Sequence, residues 1–309
     1  MVSIERAREI AEFARKHGKP AAADAYGLQH ESVSRMTRLV SSASEKQLAS
    51  CAEGKKPRVL EVDIETSPVK CWTWNTIKAF IAPEFIIEPH YIMSWAAKWL
   101  GSDDIAFDSA EGEIDGDRVM DERLCGTLWE LCKKADVVIG HNGKAFDVKH
   151  MRTRWMLQGL TPPATFHIID TLKMAREFRF ERNKLDYIAR LSKIGKKLEH
   201  HGNGLWIDCL RGDKEAWKLM REYNLNDVIL LEEIYLMMRP WFKGHPNLAL
   251  YYNDGKTRCT RCGSSSLSDL GKDVGLNAQV YPGYRCDNCG GLLRSRKKLD
   301  RERTLAPIA

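Results

Sequence analysis

Long apolar runs are missing from this 309-residue chain. None reaches the roughly 20 residues that a membrane-spanning helix needs. The opening stretch M-V-S-I-E-R-A-R-E-I carries acids and has no apolar core, so it does not read as a secretory leader. The expectation is a cytoplasmic protein with no membrane partner. A disulfide framework is also missing, since the cysteines number nine, an odd count in a chain read as intracellular. Charge of either sign is lacking in excess over residues 1–254, which balance at 37 basic against 37 acidic residues. The whole net charge of +6 therefore falls on residues 255–309, with 11 Lys/Arg against 5 Asp/Glu. A basic module on a neutral body suggests a polyanion such as nucleic acid, with a merely solubilising tail as the bland alternative.

What is present is organised around V-L-E-V-D-I-E-T, residues 59–66. Val59, Leu60, Val62 and Ile64 favour a buried strand, and the run follows Pro57. Alternation along a strand sends Asp63 and Glu65 to the same side. Two neighbouring carboxylates repel unless positive charge lies between them, and divalent metal ions are the usual source. An exposed strand end with solvated acids is the competing reading, and D-x-E alone does not decide.

Residues 1–50 read as a small all-α module. Ile4, Ala7, Ile10, Ala11 and Ala14 recur at helical spacing, Gly18 ends that helix, and a second helix covers Lys19–Tyr26. A turn at Gly27 leads to a third helix from His30 or Glu31. Ala23, Gly27 and Val33 stand at the spacing of helix-turn-helix motifs, and the stretch resembles one. That resemblance implies that Gln29, His30, Ser34, Arg35 and Arg38 face outward and reach a major groove. A packing or dimerising three-helix cap is the alternative, and net charge here is only +2. Residues 41–56 are polar and read as a linker.

In residues 57–242, segments 91–100 and 105–109 read as further strands. Residues 118–134 read as an amphipathic helix, 137–139 as a short buried strand, 146–158 as a helix and 166–170 as another strand. Trp72, Trp74, Trp95 and Trp99 read as core rather than as a binding platform. Strands in series followed by alternation with helices imply an α/β mixed sheet flanked by helices. Two more acidic constellations follow. In H-N-G-K-A-F-D a strand ends, a glycine turn follows, and Asp147 falls in a first helical turn. In Y-N-L-N-D, Tyr223 and Asp227 share one helix face. Each acid has a plain alternative: Asp147 as a helix N-terminal stabiliser, and Asp227 at the rim of the core.

D-I-E-T, then N-x-x-x-F-D, then Y-x-x-x-D, in this order, resemble the DEDDy 3′→5′ exonuclease superfamily, which includes the proofreading domains of B-family DNA polymerases and the ribonuclease D type. I-I-D-T-L-K-M-A and K-L-D-Y-I-A-R-L resemble the region between the last two motifs. The resemblance covers residues 58–240. It implies a ribonuclease H-like fold with a mixed five-stranded sheet. It also implies that Asp63, Glu65, Asp147 and Asp227 bind two Mg²⁺ or Mn²⁺ ions and that Tyr223 orients the attacking water. Thr66, Asn142 and Phe146 would lie near the terminal nucleotide. Glu222 stands where the sister group has histidine, which favours the tyrosine class. Lys184, Lys193, Lys196, Lys197, His200 and His201 could track a phosphate backbone or form a solvated basic loop. The chain is too short for a polymerase domain, which favours a stand-alone nuclease or a subunit.

C-T-R-C-G and C-D-N-C-G, with 23 residues between Cys262 and Cys286, resemble a zinc ribbon. Cys259, Cys262, Cys286 and Cys289 would hold one structural Zn²⁺, with a hairpin between the pairs. The sequence thus divides into a helix-turn-helix-like module (1–50), a ribonuclease H-like exonuclease domain (57–242), a zinc ribbon (255–299) and a basic tail (300–309). The expected function is metal-dependent 3′→5′ hydrolysis at DNA 3′ ends, preferably single-stranded. The alternatives are a 3′→5′ exoribonuclease and a non-catalytic DNA-binding adaptor. The arrangement fits a replication or recombination accessory protein of the kind a phage carries.

Overall fold

The structure, a computed structural model, describes residues 12–14, 16–26, 56–74, 80–115, 118–119, 121–199, 202–276 and 279–300. The proposed recognition residues Gln29, His30, Ser34, Arg35 and Arg38 lie outside the described residues, as do His200 and His201 and most of the linker and tail. The chain divides into two compact units, Arg58–Ile234 and a second made of Met1–Pro57 with Tyr235–Ala309. Among the described residues no helix is long and apolar enough to cross a membrane.

The first unit is built on a five-stranded sheet in the order β5-β4-β1-β8-β9. Its strands are β1 (Val59–Thr66), β4 (Ile92–Trp99), β5 (Ile105–Ser109), β8 (Val137–Gly140) and β9 (His167–Asp170). Two short hairpins intervene in the chain: β2 (Lys70–Cys71) with β3 (Ile86–Glu88), and β6 (Ile114–Asp115) with β7 (Arg118–Val119). β1 is central, antiparallel to β4 and parallel to β8, and β8 is parallel to β9. The sheet is therefore mixed, as the pattern of strands in series and then strands alternating with helices requires. Helices α2 (Glu122–Lys133) and α3 (Asp147–Leu157) flank the strands. After β9 come α4 (Thr171–Ala175), α5 (Leu185–Leu191), α6 (Gly204–Leu210) and the 25-residue α7 (Lys214–Met238). Leu60, Val62, Ile64, Ile92, Met93, Leu124, Leu128, Met151 and Met220 form one buried core, which is what the period-2 and period-3.6 apolar patterns encode.

Two expectations fail. The helix read over 118–134 starts at Glu122, because Arg118–Val119 pairs with Ile114–Asp115 as a strand. The four tryptophans split: Trp95 is buried and sends its indole N–H to the carbonyl of Leu124 at 3.0 Å, and Trp99 is half-buried. Trp72 and Trp74 are instead 71% and 92% exposed beside the β2–β3 hairpin. That hairpin is not part of the five-stranded sheet, so among the described residues no core face covers its aromatics.

In the second unit, α1 (Lys19–Tyr26) follows helical residues 12–14 and 16–17, and Ala14, Ala22 and Ala23 pack together with Phe13 and Tyr26. Towards the C-terminus, β10 (Leu267–Asp269), β13 (Gly283–Cys286) and β14 (Leu292–Arg294) make a three-stranded antiparallel sheet in the order β10-β13-β14. Between them β11 (Val274–Leu276) and β12 (Gln279–Tyr281) pair as an antiparallel hairpin.

Candidate active site

The site grows from a mismatch in strand length. β1 pairs with β8 only over Val59–Glu61, because β8 ends at Gly140 and the chain turns. The second half of β1, which holds Asp63 and Glu65, therefore overhangs the parallel side of the sheet. Into that gap comes the N-terminus of α3. Asp147 Oδ1 accepts the Ile64 amide at 3.2 Å, taking the backbone donor that a longer β8 would have used. The turn that makes this possible is tight. A Cβ on Gly143 would lie 2.9 Å from the Gly140 Cα, and one on Gly140 would lie 3.0 Å from the Gly143 Cα, so glycine is required at both. Asn142, between them, adopts a left-handed φ of 65°.

Asp170, at the end of β9, fixes this turn. Its carboxylate accepts the amides of Asn142 (2.9 Å) and Lys144 (3.3 Å) and caps α4 through Leu172 (3.0 Å). His141 braces it from the other side. Its Nε2 lies 2.9 Å from the carbonyl of Asn183, which can only accept, so Nε2 carries the proton and Nδ1 accepts from the Thr171 hydroxyl at 3.0 Å. Burial pushes the imidazole down to about 4, so it stays neutral and acts as a strut.

The long helix α7 closes the site. Tyr223 and Asp227 lie one turn apart, both buried, with Asp227 only 1% exposed. Oxygens of Asp63, Glu65 and Asp227 lie within 4.8 Å of one another. Asp147 stands outside that trio, but its charge is felt by Asp63. Burial, followed by the neighbouring acids, raises Asp63 well above the usual carboxylate range. Burial and Asp227 push Glu65 up to about 8, and burial pushes Asp147 up to about 7. Asp227 is raised by burial too, against the opposing pull of Lys197. Its Oδ1 is buried with no hydrogen-bond partner among the described residues. Crowded acids of this kind are costly unless cations accompany them.

One cation is supplied by the protein. The Lys197 ammonium pairs with Asp227 Oδ2 and donates to the Tyr223 hydroxyl at 2.9 Å. Burial opposes its charge, but Asp227 and Asp63 outweigh that and hold it above the usual lysine range. The Trp206 indole, from α6, donates to Glu65 Oε2 at 3.2 Å, and its ring meets Tyr223 edge-on at 6.0 Å. Asn224 donates to Asp63 Oδ2 at 2.6 Å. None of these three roles was read from the sequence. Lys197 looked like any of the neighbouring lysines. Asn224 carried a signal that was overlooked, as a lone amide among Met220, Val228 and Leu231 on one apolar face.

Of the remaining sequence candidates, Thr66 is the last residue of β1, and Phe146 is 38% exposed with its ring 4.5 Å from that of His150. Arg35 and Arg38 lie outside the described residues.

A second cluster forms from Cys259, Cys262, Cys286 and Cys289. The Cys259–Cys289 and Cys262–Cys286 sulfurs are 3.7 and 3.5 Å apart, too far for S–S bonds and close enough to share one ion. Each C-x-x-C ends in the same turn. Gly263 N donates to the Cys259 carbonyl and Gly290 N to that of Cys286, at φ of 74° and 75°, which only glycine adopts without strain.

No curated protein matches this chain. Among solved structures it is similar to the family B DNA polymerase of the hyperthermophilic archaeon Pyrobaculum calidifontis, at 16% identity and a TM-score of 0.43, over 59% of this chain. The match spans 25% of the polymerase chain. Residues 114–239, which include Asp147, Tyr223 and Asp227, match the family model RNase_H_2 of the RNase_H superfamily. The five-stranded mixed sheet with flanking helices is consistent with an RNase H-like fold.

Proposed function

We propose that this protein is a divalent-metal-dependent nuclease that removes nucleotides in the 3′→5′ direction from DNA ends, with single strands preferred. The observation that carries the proposal is the trio Asp63, Glu65 and Asp227 with oxygens within 4.8 Å, acidities weakened by burial, and a buried oxygen on Asp227 that has no partner among the described residues. The donor set fits hard divalent cations: all the candidate ligands are carboxylate oxygens, and four acids offset the charge of two ions. Asp63, Glu65 and Asp227 would hold Mg²⁺ or Mn²⁺, with Asp147 completing the set. When bound, such ions supply an activated water and charge neutralisation at the departing 3′ oxygen.

The protein's own groups orient and exclude. Tyr223 is raised by burial and by Asp227, so the phenol keeps its proton at neutral pH. It serves to orient a water by hydrogen bonding rather than to deprotonate it. Lys197 donates to the phenol oxygen and pairs with Asp227, which holds the phenol beside the carboxylates. Trp206 holds Glu65, and its ring packs edge-on against Tyr223. Asn142 and Phe146, on the turn fixed by Asp170, are proposed to meet the terminal nucleotide, with Thr66 beside them. Half-exposed aromatics suit base stacking.

The superfamily match supports a nuclease and with it a nucleic-acid partner. The choice of DNA rests on the helix-turn-helix resemblance of residues 1–50 and on Arg35 and Arg38 within it. The four-cysteine cluster is proposed to bind one structural Zn²⁺ in a basic module that helps to hold a polyanion. A replication or recombination complex is the proposed setting. The test is digestion of matched single-stranded DNA, duplex DNA and RNA in Mg²⁺ and in Mn²⁺. Fastest loss of single-stranded DNA is expected, and preferential loss of RNA would replace the DNA reading with an exoribonuclease. Binding without cleavage of any of the three would replace it with an adaptor.

A further inference from the structure

The most tightly specified polar contact near the carboxylates involves two residues with no assigned role. Asn224 on α7 and Ser94 on β4 are both fully buried. Asn224 uses both amide hydrogens on a single residue, donating to Asp63 Oδ2 at 2.6 Å and to the Asp63 backbone carbonyl at 3.2 Å. Its own carbonyl oxygen accepts the Ser94 hydroxyl at 3.1 Å. Ser94 sits across the β1–β4 ladder from Glu65, one side-chain repeat from the Asp63 position. The amide orientation follows from the partners: flipping it would set a carbonyl oxygen against two acceptors.

Asp63 needs such a hold more than its neighbours do. Glu65 is held by Trp206 and Asp227 by Lys197, whereas among the described residues Asn224 alone hydrogen-bonds the Asp63 carboxylate. When ionised, Asp227, Glu65 and Asp147 all repel Asp63, with Lys197 opposing them. Repulsion of that kind favours rotation of the side chain away from the cluster. The clamp opposes it by tying Oδ2 to Asn224. A buried Ser–Asn pair bonded to the carboxylate is what a ligand with one fixed rotamer requires.

We propose that Asn224, locked by Ser94, is a positioning residue that sets the Asp63 carboxylate for divalent-metal binding. This rests on reading the cluster as a metal site, and the experiment separates the two. Full-length, zinc-replete protein is titrated with Mn²⁺ by calorimetry, and steady-state kinetics on single-stranded DNA run alongside. Asn224→Leu, of nearly the same shape without the amide, is expected to weaken Mn²⁺ binding by about 10- to 100-fold and to lower kcat, with KM for DNA unchanged. Ser94→Ala is expected to weaken it by a few-fold, and to add nothing in the Asn224→Leu background. A lowered melting temperature with wild-type Mn²⁺ affinity in both variants would make the contact merely structural and overturn the proposal. Should Asn224→Leu not fold, Ser94→Ala decides alone. Wild-type protein that binds Mn²⁺, loses that binding on Asn224→Leu and cleaves no nucleic acid would support the positioning role and overturn the nuclease. Wild-type protein that binds no Mn²⁺ would overturn both.

Discussion

Replacing Lys197 with methionine keeps the aliphatic stem and removes the ammonium that pairs with the buried Asp227. Lys197 is 28% exposed along its side chain and Asp227 only 1%, so the change strands a buried carboxylate beside two others. Removing one partner of a fully buried pair costs ~3–5 kcal/mol, and the solvent access of Lys197 reduces that to about 2 kcal/mol. For a domain of this size the melting temperature should fall by roughly 4–8 °C in metal-free buffer. Saturating Mn²⁺ supplies the missing positive charge, so most of the loss should then disappear. Mn²⁺ should also bind Lys197→Met more tightly than wild type, because a competing cation has gone. A difference of ~1.4 kcal/mol is tenfold in affinity. Thermal melts with and without Mn²⁺, together with calorimetric titration, read both quantities. An equal loss of stability in the two buffers, with unchanged Mn²⁺ affinity, would refute the view that Lys197 and the metal neutralise the same charges.

Other consequences are as specific. Tyr223→Phe should lower turnover by about 10- to 1000-fold with little change in KM, read from initial rates on single-stranded DNA. Unchanged turnover would remove the phenol from the reaction. Glu65 and Asp147, raised to about 8 and about 7, keep protons in the folded metal-free protein that the unfolded chain has released. The folded state then binds more protons, so the contribution of these groups to stability falls as pH rises through about 4 to 8 and levels off above. Metal-free melts should drop between about pH 6 and 8, and Mn²⁺ binding should release protons in calorimetry in buffers of different ionisation enthalpy. Cys259→Ser or Cys286→Ser should lose bound zinc, measured by elemental analysis, and loosen the β10–β13–β14 sheet. Retention of about one zinc per chain in both would exclude the four-cysteine site.

The parts of this architecture that were legible in the sequence are those set by local periodicity. Alternation along residues 59–66 placed Asp63 and Glu65 on one side of a buried strand, and four-residue spacing placed Tyr223 and Asp227 on one helix face. Contacts made by tertiary placement were not legible. Lys197 reaches the acids from a segment with no regular structure, where its neighbours Lys193 and Lys196 look the same in sequence. Trp206 and Asn224 sit 141 and 161 residues from the acids they hold. Trp72 and Trp74 failed as core because hydrophobicity does not say whether a facing element exists. The strand at Arg118–Val119 was missed because pairing with Ile114–Asp115 outcompetes a helical pattern at its first turn.

The central claim is that the carboxylate cluster cuts from a 3′ end with a divalent ion. It is tested most directly with a single-stranded DNA labelled at its 5′ end and capped at either terminus by phosphorothioate linkages, incubated with Mn²⁺ and wild-type or Asp227→Ala protein. A ladder shortening one nucleotide at a time is expected, blocked by the 3′ cap but not the 5′ cap, and absent with Asp227→Ala. Shortening that survives the 3′ cap, or that persists in Asp227→Ala at the wild-type rate, would contradict it.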